Sequence, residues 1–94
     1  MATTLSDTDI RTALTSLPGW QQNGKQIERQ FEFSDFAAAM KFVNRIADTA
    51  EAAQHHPDIT INYNKVKLAL ISHDSGGVTK RDVKMAERIN QVAA

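Results

Sequence analysis

Three histidines are the side chains of this sequence that are best suited to acid–base chemistry. His55 and His56 are adjacent, and His73 lies further along the chain. An imidazole has an unperturbed pKa of about 6.5, so neighbouring rings can hold one protonated and one neutral form near neutral pH. Such a pair supplies an acid and a base in one site, which suits a dehydration or a tautomerisation. This chemistry requires a fold that brings the rings together.

The residues alone leave other roles open for this region. A histidine near a helix C-terminus can simply interact with the helix dipole, and three histidines can bind catalytic zinc, although no established zinc spacing is present. Ser72 and Ser75 lack a recognisable orienting acid and oxyanion hole for nucleophilic catalysis. Glu51 fits an ordinary solvated helix charge, and Asp82 fits a helix cap. The segment DSGG lacks the lysine and spacing of a phosphate-binding loop, so a strand-to-helix connection explains its glycines.

Composition limits the setting in which the histidines act. The chain has 94 residues, with 11 basic and 11 acidic side chains and no cysteine. This length predicts one domain, 1–94, with a modest hydrophobic core. Self-association would stabilise such a small domain, so a homodimer or homotetramer is expected. Balanced charge argues against direct nucleic-acid binding, and the lack of cysteine excludes thiolate chemistry. No apolar segment is long enough to cross a membrane, and MATTLSDTDIR resembles no signal peptide, so a cytoplasmic location is expected.

The first quarter of the chain predicts a helix followed by a β-hairpin. Ser6 resembles the start of a capping box, and the first helix is expected to continue until Pro18. Asn23–Gly24 predicts a two-residue type I′ turn, because both residue types tolerate positive φ. This turn pairs Trp20 with Ile27, and both side chains then face the core.

A second, longer helix is predicted from a cap at Ser34 to about His55. Pro57 ends it, because a proline disfavours helical geometry at the preceding residue. The apolar stripe of this helix consists of Phe36, Met40, Val43, Ala47 and Ala50, flanked by Phe42 and Ile46. The stripe predicts the face that packs on a sheet.

The second hairpin decides whether the histidines meet. A two-residue turn at Asn64–Lys65 gives the pairs Tyr63 with Val66, Ile61 with Leu68 and Ile59 with Leu70. If the pairing continues outward, His56 lies opposite His73, with Cα atoms about 4.5 to 5.5 Å apart. His55 and Asp74 are then adjacent, so all three imidazoles are expected at the open end of the hairpin.

A third helix completes the predicted fold. It starts at Thr79, which with Asp82 forms a second capping-box pattern. Its apolar positions are Val83, Ala86, Ile89 and Ala93. The order of elements is helix, hairpin, helix, hairpin, helix. Hairpins that cannot fold alone join most simply into one four-stranded antiparallel sheet with the three helices on one face, a two-layer α+β sandwich.

The region from Glu51 to Asp82 resembles the signature of the pterin-4a-carbinolamine dehydratase family. The run EAAQHHPDITINYNKVKLALISHDSGGVTKRD contains the residues at the spacing of that signature: Glu51, His55-His56-Pro57, Tyr63, His73 and Asp82. The resemblance extends more loosely over the whole chain. It implies dehydration of a 4a-hydroxytetrahydropterin to a quinonoid dihydropterin and water, in tetrahydrobiopterin recycling, with no metal or organic cofactor.

The resemblance also implies the residues of the site. The three motif histidines of the family surround the pterin, and in this sequence they are His55, His56 and His73. The further substrate-binding positions are Gln54, Ile71, Ser72, Asp74, Glu51 and Asp82. We expect His56 and His73 to be the acid–base pair, because the 4a-hydroxyl must gain a proton to leave and N5 must lose one. The expected role of His55 is to orient the substrate or to share the acid role.

One position departs from the family, and the family has other functions. Many relatives carry tryptophan two residues after the motif proline, where this chain has Ile59. We expect this difference to affect which substrate side chains the pocket accepts beyond the pterin ring. Some relatives are non-enzymatic dimerisation cofactors of a homeodomain transcription factor, and others are associated with molybdopterin metabolism. The resemblance therefore leaves an interaction module with a protein partner as the alternative to an enzyme.

Overall fold

One antiparallel sheet with three helices on one face forms the framework of residues 3–94 in the computed structural model. The elements are α1 (Asp7–Leu14), β1 (Gln21–Asn23), β2 (Gln26–Glu32), α2 (Phe36–Ala53), β3 (Asp58–Asn62), β4 (Lys65–Leu70) and α3 (Lys80–Ala93). The strands lie in the order β1-β2-β4-β3 and all neighbours are antiparallel, which confirms the predicted α+β class and element order. Residues 1 and 2 of the predicted domain lie outside the described residues. No helix within residues 3–94 has the length and apolar character needed to cross a membrane.

Short polar side chains cap the N-termini of the helices. The hydroxyl of Ser6 accepts a backbone hydrogen bond at the start of α1, as predicted. The cap of α2 is Asp35, so the predicted cap at Ser34 is wrong by one residue. A carboxylate there also interacts with the positive end of the helix dipole, which a serine hydroxyl does less strongly. In α3, Thr79 and Asp82 form the predicted capping box.

The first hairpin turns one residue later than predicted. Its loop is Gly24–Lys25, so Gln22 pairs with Ile27, and the predicted pairing of Trp20 with Ile27 is wrong. Gly24 has φ 62°, whereas Asn23 stays extended as the last residue of β1. Moving a two-residue loop by one residue changes the pairing by two positions, so each side chain keeps its face of the sheet.

The second hairpin turns one residue earlier than the predicted Asn64–Lys65 loop. Its loop is Tyr63–Asn64, where Tyr63 has φ 54° and the side-chain amide of Asn64 donates to the carbonyl oxygen of Phe33 at 2.8 Å. The resulting pairs are Ile59 with Leu68, Ile61 with Val66 and Asn62 with Lys65. Continued outward, this register places His56 opposite Ile71, so the predicted pairing of His56 with His73 is wrong.

The core lies between the inner face of the sheet and the helices. Its fully buried side chains include Ile27, Ile46, Val66, Leu68, Leu70, Met85 and Ile89. Trp20 and Ile27 both face this core, as predicted. Leu17 is also buried, although α1 ends at Leu14 instead of Pro18, because a turn continues the chain and the N–H of Leu17 donates to the carbonyl oxygen of Leu14 at 3.1 Å.

A different side of α2 from the predicted one packs on the sheet. The buried residues of this helix are Ala39, Phe42, Ile46 and Ala50. In the predicted stripe, Ala50 is buried, but Phe36 is 50% exposed and Ala47 is exposed. The apolar residues of α2 cover two neighbouring stripes, and the sheet buries only one of them. In α3, Ile89 is buried as predicted, whereas Ala93 is exposed.

The charged side chain of Arg29 lies on the helix-covered face of β2. Its guanidinium donates to Oδ1 of Asn90 at 2.6 Å and lies 4.3 Å from the ring centroid of Phe31. The same Asn90 oxygen accepts the indole N–H of Trp20 at 2.8 Å. Gly19 has φ 87°, and a Cβ at this position would lie 2.8 Å from Cδ of Arg29. Gly19 therefore gives the anchored arginine its space.

We expect Gly19→Ala to lower the free energy of unfolding by at least about 2 kcal/mol, because the methyl group displaces Arg29 and alanine disfavours the left-handed backbone. Gly24→Ala is the matched control, since its φ is also positive but a Cβ there meets no atom within 4 Å. Its expected cost is about 1 kcal/mol, from backbone strain alone. Urea denaturation measures both losses, and equal losses would contradict the packing argument.

Candidate active site

The end of α2 determines where His55 and His56 lie. Gln54 adopts a left-handed conformation with φ 53°, and its side-chain amide donates to the carbonyl oxygen of Glu51 at 2.8 Å. The backbone N–H of His55 donates to the carbonyl oxygen of Ala50 at 3.2 Å. This cap turns the chain back across the end of the helix. The two imidazoles therefore enter different environments, with side-chain exposures of 13% for His55 and 58% for His56.

A tight loop after β4 carries the third histidine. The N–H of Ser72 donates to the carbonyl oxygen of Gly77 at 3.0 Å. The carbonyl oxygen of Ser72 accepts from the N–H groups of Ser75 and Gly76 at 3.0 and 2.9 Å. The loop closes on Ser72 and leaves His73 exposed at its outer side. Within residues 3–94, the imidazole of His73 has no hydrogen-bond partner, so its nitrogens are available to a bound molecule.

One open cavity of about 270 Å³ joins the two segments. Its lining residues are Gln54, His55, His56, Ile71, Ser72, His73, Asp74 and Arg81. All three histidines therefore border the same space, although strand pairing does not bring them together. The volume is close to the lower end of small-molecule sites, which suits a compact ring system.

Beside this cavity, a fully buried carboxylate holds His55. Oδ1 of Asp82 lies 2.5 Å from Nε2 of His55. Oδ2 accepts hydrogen bonds from the hydroxyl of Ser72 and the backbone N–H of Thr79, both at 2.8 Å. The hydroxyls of Ser72 and Thr79 are also 2.8 Å apart, and Thr79 is the donor because Ser72 gives its only proton to Asp82. These bonds fix the orientation of the His55 ring.

His56 has a carboxylate partner in water. Its Nε2 lies 2.5 Å from Oε2 of Glu51, whose side chain is 72% exposed. Exposed pairs of this kind contribute little to stability and separate readily. His56 can therefore exchange protons with solvent, whereas His55 is held by a buried partner.

Arg81 and Asp74 form an ion pair at the rim of the cavity. Nη2 of Arg81 lies 2.5 Å from Oδ1 of Asp74, and the two side chains are 45% and 54% exposed. The hydrogen bond from Arg81 lowers the pKa of Asp74 below its ordinary value. Asp74 is therefore ionised at neutral pH, and the half-exposed guanidinium can exchange this bond for one to a bound anion.

The predicted site residues divide into two groups in the structure. Those that line the cavity are Gln54, His55, His56, Ile71, Ser72, His73 and Asp74. Glu51 and Asp82 instead lie behind the histidines, as partners of His56 and His55. Arg81 is the lining residue that the sequence analysis missed. Its position next to Asp82 in the first turn of α3 was the available signal, because the cap places that turn beside the loop of His73.

The arrangement is suited to proton transfer. Both histidine–carboxylate contacts use Nε2, so Nδ1 of His55 and of His56 remains for other partners. With the free ring of His73, the cavity has three imidazoles that can donate or accept a proton. Among residues 3–94, no three His, Cys, Asp or Glu side chains are grouped so that they could hold one metal ion.

Comparison with known sequences relates the chain to one family. Residues 3–92 match the family model described as pterin 4 alpha carbinolamine dehydratase. Two similar curated proteins are each named "Putative pterin-4-alpha-carbinolamine dehydratase". The one from Koribacter versatilis is 62% identical over 98% of both chains. The one from Thermosynechococcus vestitus is 46% identical over 99% of this chain and 98% of the relative.

Solved structures agree with this relationship. A transcriptional coactivator/pterin dehydratase from Brucella melitensis has a TM-score of 0.91 and 38% identity, over 97% of this chain and 99% of its own. A pterin dehydratase-like RuBisCO assembly factor of the alpha-carboxysome, at 23% identity and TM-score 0.69 over 81% of this chain and 90% of its own, shares the fold. Since the family model spans residues 3–92 and a 62% identical relative covers 98% of the chain, this chain belongs to the pterin 4 alpha carbinolamine dehydratase family.

Proposed function

We propose that this protein removes water from a 4a-hydroxytetrahydropterin and releases a quinonoid dihydropterin, as a step of tetrahydrobiopterin recycling. The observation that carries the proposal is the single cavity bordered by His55, His56 and His73. Its volume of about 270 Å³ suits a bicyclic ring, and membership in the family supplies the substrate class. The reaction needs a proton donor and a proton acceptor close to C4a and N5, and imidazoles can be both.

The dehydration consists of two proton transfers and one bond cleavage. An imidazolium donates a proton to the 4a-hydroxyl, and the C4a–O bond breaks with its electron pair leaving on the water. A neutral imidazole accepts the N5 proton while the double bond between N5 and C4a forms. His56 and His73 are the proposed pair, because His73 has a free ring and the 58% exposed His56 can return its proton to solvent.

Asp82 and Glu51 act, in this proposal, through the histidines. Asp82 is fully buried and bonds to Nε2 of His55, so it is a positioning residue that turns Nδ1 of His55 toward the substrate. Glu51 contacts Nε2 of His56 from the solvent side, and this exposed pair orients the ring less firmly than Asp82 orients His55. A carboxylate behind a histidine fixes the ring orientation and supports its positive charge during proton transfer.

We also propose that two copies of the chain associate along β3. This strand is the last in the sheet, so within residues 3–94 one of its hydrogen-bonding edges is unpaired, and all of its residues are exposed. Its apolar side chains Ile59 and Ile61 are 37% and 39% exposed, and Tyr63 in the adjoining hairpin turn is also exposed. A second copy can pair with this edge and cover these side chains. The alternative occupant is another protein, as the coactivator name of the Brucella relative suggests.

His56→Ala and His73→Ala are each expected to lower the dehydration rate by about 10²-fold or more, because each removes one proposed proton carrier. The measurement follows the loss of enzymatically generated 4a-hydroxypterin, with circular dichroism to verify folding. Asn62→Ala, on the outer face of β3, is the control and should keep the wild-type rate. Unchanged rates in both histidine variants would contradict the assignment of His56 and His73 as the acid–base pair. Stoichiometric zinc that turnover requires would favour the metal site instead.

Asp82→Asn is expected to lower kcat by about tenfold and to change KM by less than about twofold, because the amide orients His55 poorly but lies outside the cavity. The variant should also lose about 2 kcal/mol of stability, since Ser72 and Thr79 lose a charged acceptor. Asp48→Asn, at an exposed position of α2, is the matched control. A large rise in KM at constant kcat would place Asp82 among the substrate contacts.

Ile61→Lys is expected to make the protein monomeric in analytical ultracentrifugation. The second copy would cover the apolar side chains of β3, and a charge among them opposes association. Thr60→Lys is the matched control, since Thr60 lies on the opposite face of the same strand and should leave association unchanged. A wild-type protein that is monomeric at every concentration, or equal behaviour of the two variants, would exclude this interface. Recovery of a stoichiometric foreign protein by wild type but not by Ile61→Lys would assign the surface to a different partner.

A further inference from the structure

A row of cations on α3 continues from the rim of the histidine cavity. Arg81, Lys84 and Arg88 are separated by three and four residues, so they lie along one side of the helix. A second, smaller cavity of about 110 Å³ is lined by Ala53, His55, Arg81, Lys84, Met85 and Arg88. His55 and Arg81 border both cavities. The cation row therefore begins where the proposed pterin site ends.

Contacts within the protein do not account for the cation row. Arg81 pairs with Asp74, but neither Lys84 nor Arg88 forms an ion pair with any carboxylate in residues 3–94. Cations near a helix C-terminus can satisfy its last carbonyl groups, and α2 ends beside this row. Two of these carbonyl oxygens, those of Ala50 and Glu51, already accept hydrogen bonds from the backbone N–H groups of Gln54 and His55 and from the side chain of Gln54. Lys84 and Arg88 are exposed, so their charge is available to a molecule in solution.

The chemistry of a reduced pterin places its substituent next to the reacting atoms. N5 is bonded both to C4a, where the hydroxyl leaves, and to C6, which carries the side chain. When N5 and C4a face the histidines, C6 lies next to them. The C6 side chain therefore leaves the ring beside the edge that faces the histidines. His55 and Arg81 border both the histidine cavity and the smaller cavity of the cation row, so a side chain that leaves the ring at C6 starts next to Arg81, with Lys84 and Arg88 further along the same helix.

We infer that the cation row binds an anionic group on the C6 side chain of the substrate, such as a phosphate ester or the carboxylates of a glutamyl tail. The inference rests on the proposed pterin dehydration and adds the substrate class. Three cations are available for an anion at this place, and Arg81 can form two parallel hydrogen bonds with a phosphate or carboxylate. A neutral side chain gains none of these interactions, so the row discriminates between substrates that share one ring.

The ion pair at the rim is the movable part of this subsite. Asp74 keeps Arg81 at the mouth of the cavity through the hydrogen-bonded ion pair between them. Both side chains are about half exposed, so breaking the pair costs little compared with a buried bond. An arriving anion can therefore take Arg81 from Asp74 while Lys84 and Arg88 add their attraction.

Equilibrium binding of stable pterins tests this inference without turnover. The probes are 6-hydroxymethyl-7,8-dihydropterin, its phosphate ester, and a dihydropteroyl compound with a triglutamate tail, each titrated by pterin fluorescence. We expect wild type to bind at least one anionic probe about tenfold more tightly than the alcohol at low salt, and the advantage should shrink as salt screens the charges. The double variant K84Q/R88Q should lose most of this advantage. Comparison of the ester with the glutamyl compound identifies which anion the row prefers.

The control variant K41Q/K65Q removes two positive charges at exposed positions away from the histidine cavity, and its preference should equal that of wild type. Equal affinities of wild type for the alcohol and both anionic probes would overturn the inference while leaving the pterin site in place. A preference that survives in K84Q/R88Q, or disappears equally in K41Q/K65Q, would also overturn it. If none of the three probes binds, the proposed function itself fails together with the inference.

Discussion

The buried carboxylate of Asp82 connects three separate segments of the chain at the candidate site. It completes the capping box of α3, accepts the hydroxyl of Ser72 after β4, and holds the ring of His55 after α2. Burying a charge is costly unless donors surround it, and here a backbone N–H, a hydroxyl and an imidazole do so. The same bonds that start α3 therefore orient a histidine. The position of His55 is thus a consequence of folding and does not await the substrate, which is the preorganisation that acid–base catalysis needs.

Sequence patterns predicted those features of the structure whose interacting residues are close together in the chain. The capping box of Thr79 and Asp82 was visible because its partners are three residues apart. The bond from Asp82 to His55 was not visible, because it joins residues that only the tertiary fold brings together. The turn of the second hairpin was misplaced for a similar reason, since the bond from Asn64 to Phe33 comes from a distant part of the chain. Contacts between distant parts of the chain determine the partner of His55 and the turn of the second hairpin. The order of helices and strands could be predicted from hydrophobic periodicity and turn residues.

The shared cavity of the histidines depends on topology more than on register. The predicted register of the second hairpin, which placed His56 opposite His73, is wrong. The histidines nevertheless border one cavity, because β3 and β4 are neighbours, the end of α2 leads into β3, and the loop after β4 closes on Ser72. Segments that meet at the same end of a sheet bring their side chains close even when the exact pairing differs. The apolar pattern of α2 was less informative, since a small domain cannot bury two stripes and the pattern does not state which one meets the sheet.

Charge distribution adds a constraint that composition could not reveal. The equal numbers of acidic and basic residues predict no strong field, yet the helical repeat of α3 places Arg81, Lys84 and Arg88 on one side of the site. The carboxylate of Glu51 lies behind His56 and does not line the cavity. In the proposed site, a flat ring with an anionic substituent therefore has one favourable orientation, because only that orientation places the anion beside Arg81, Lys84 and Arg88. The cation row would then determine which edge of the ring faces the histidines. Binding of the anionic C6 substituent would in this way also align C4a and N5 with the imidazoles.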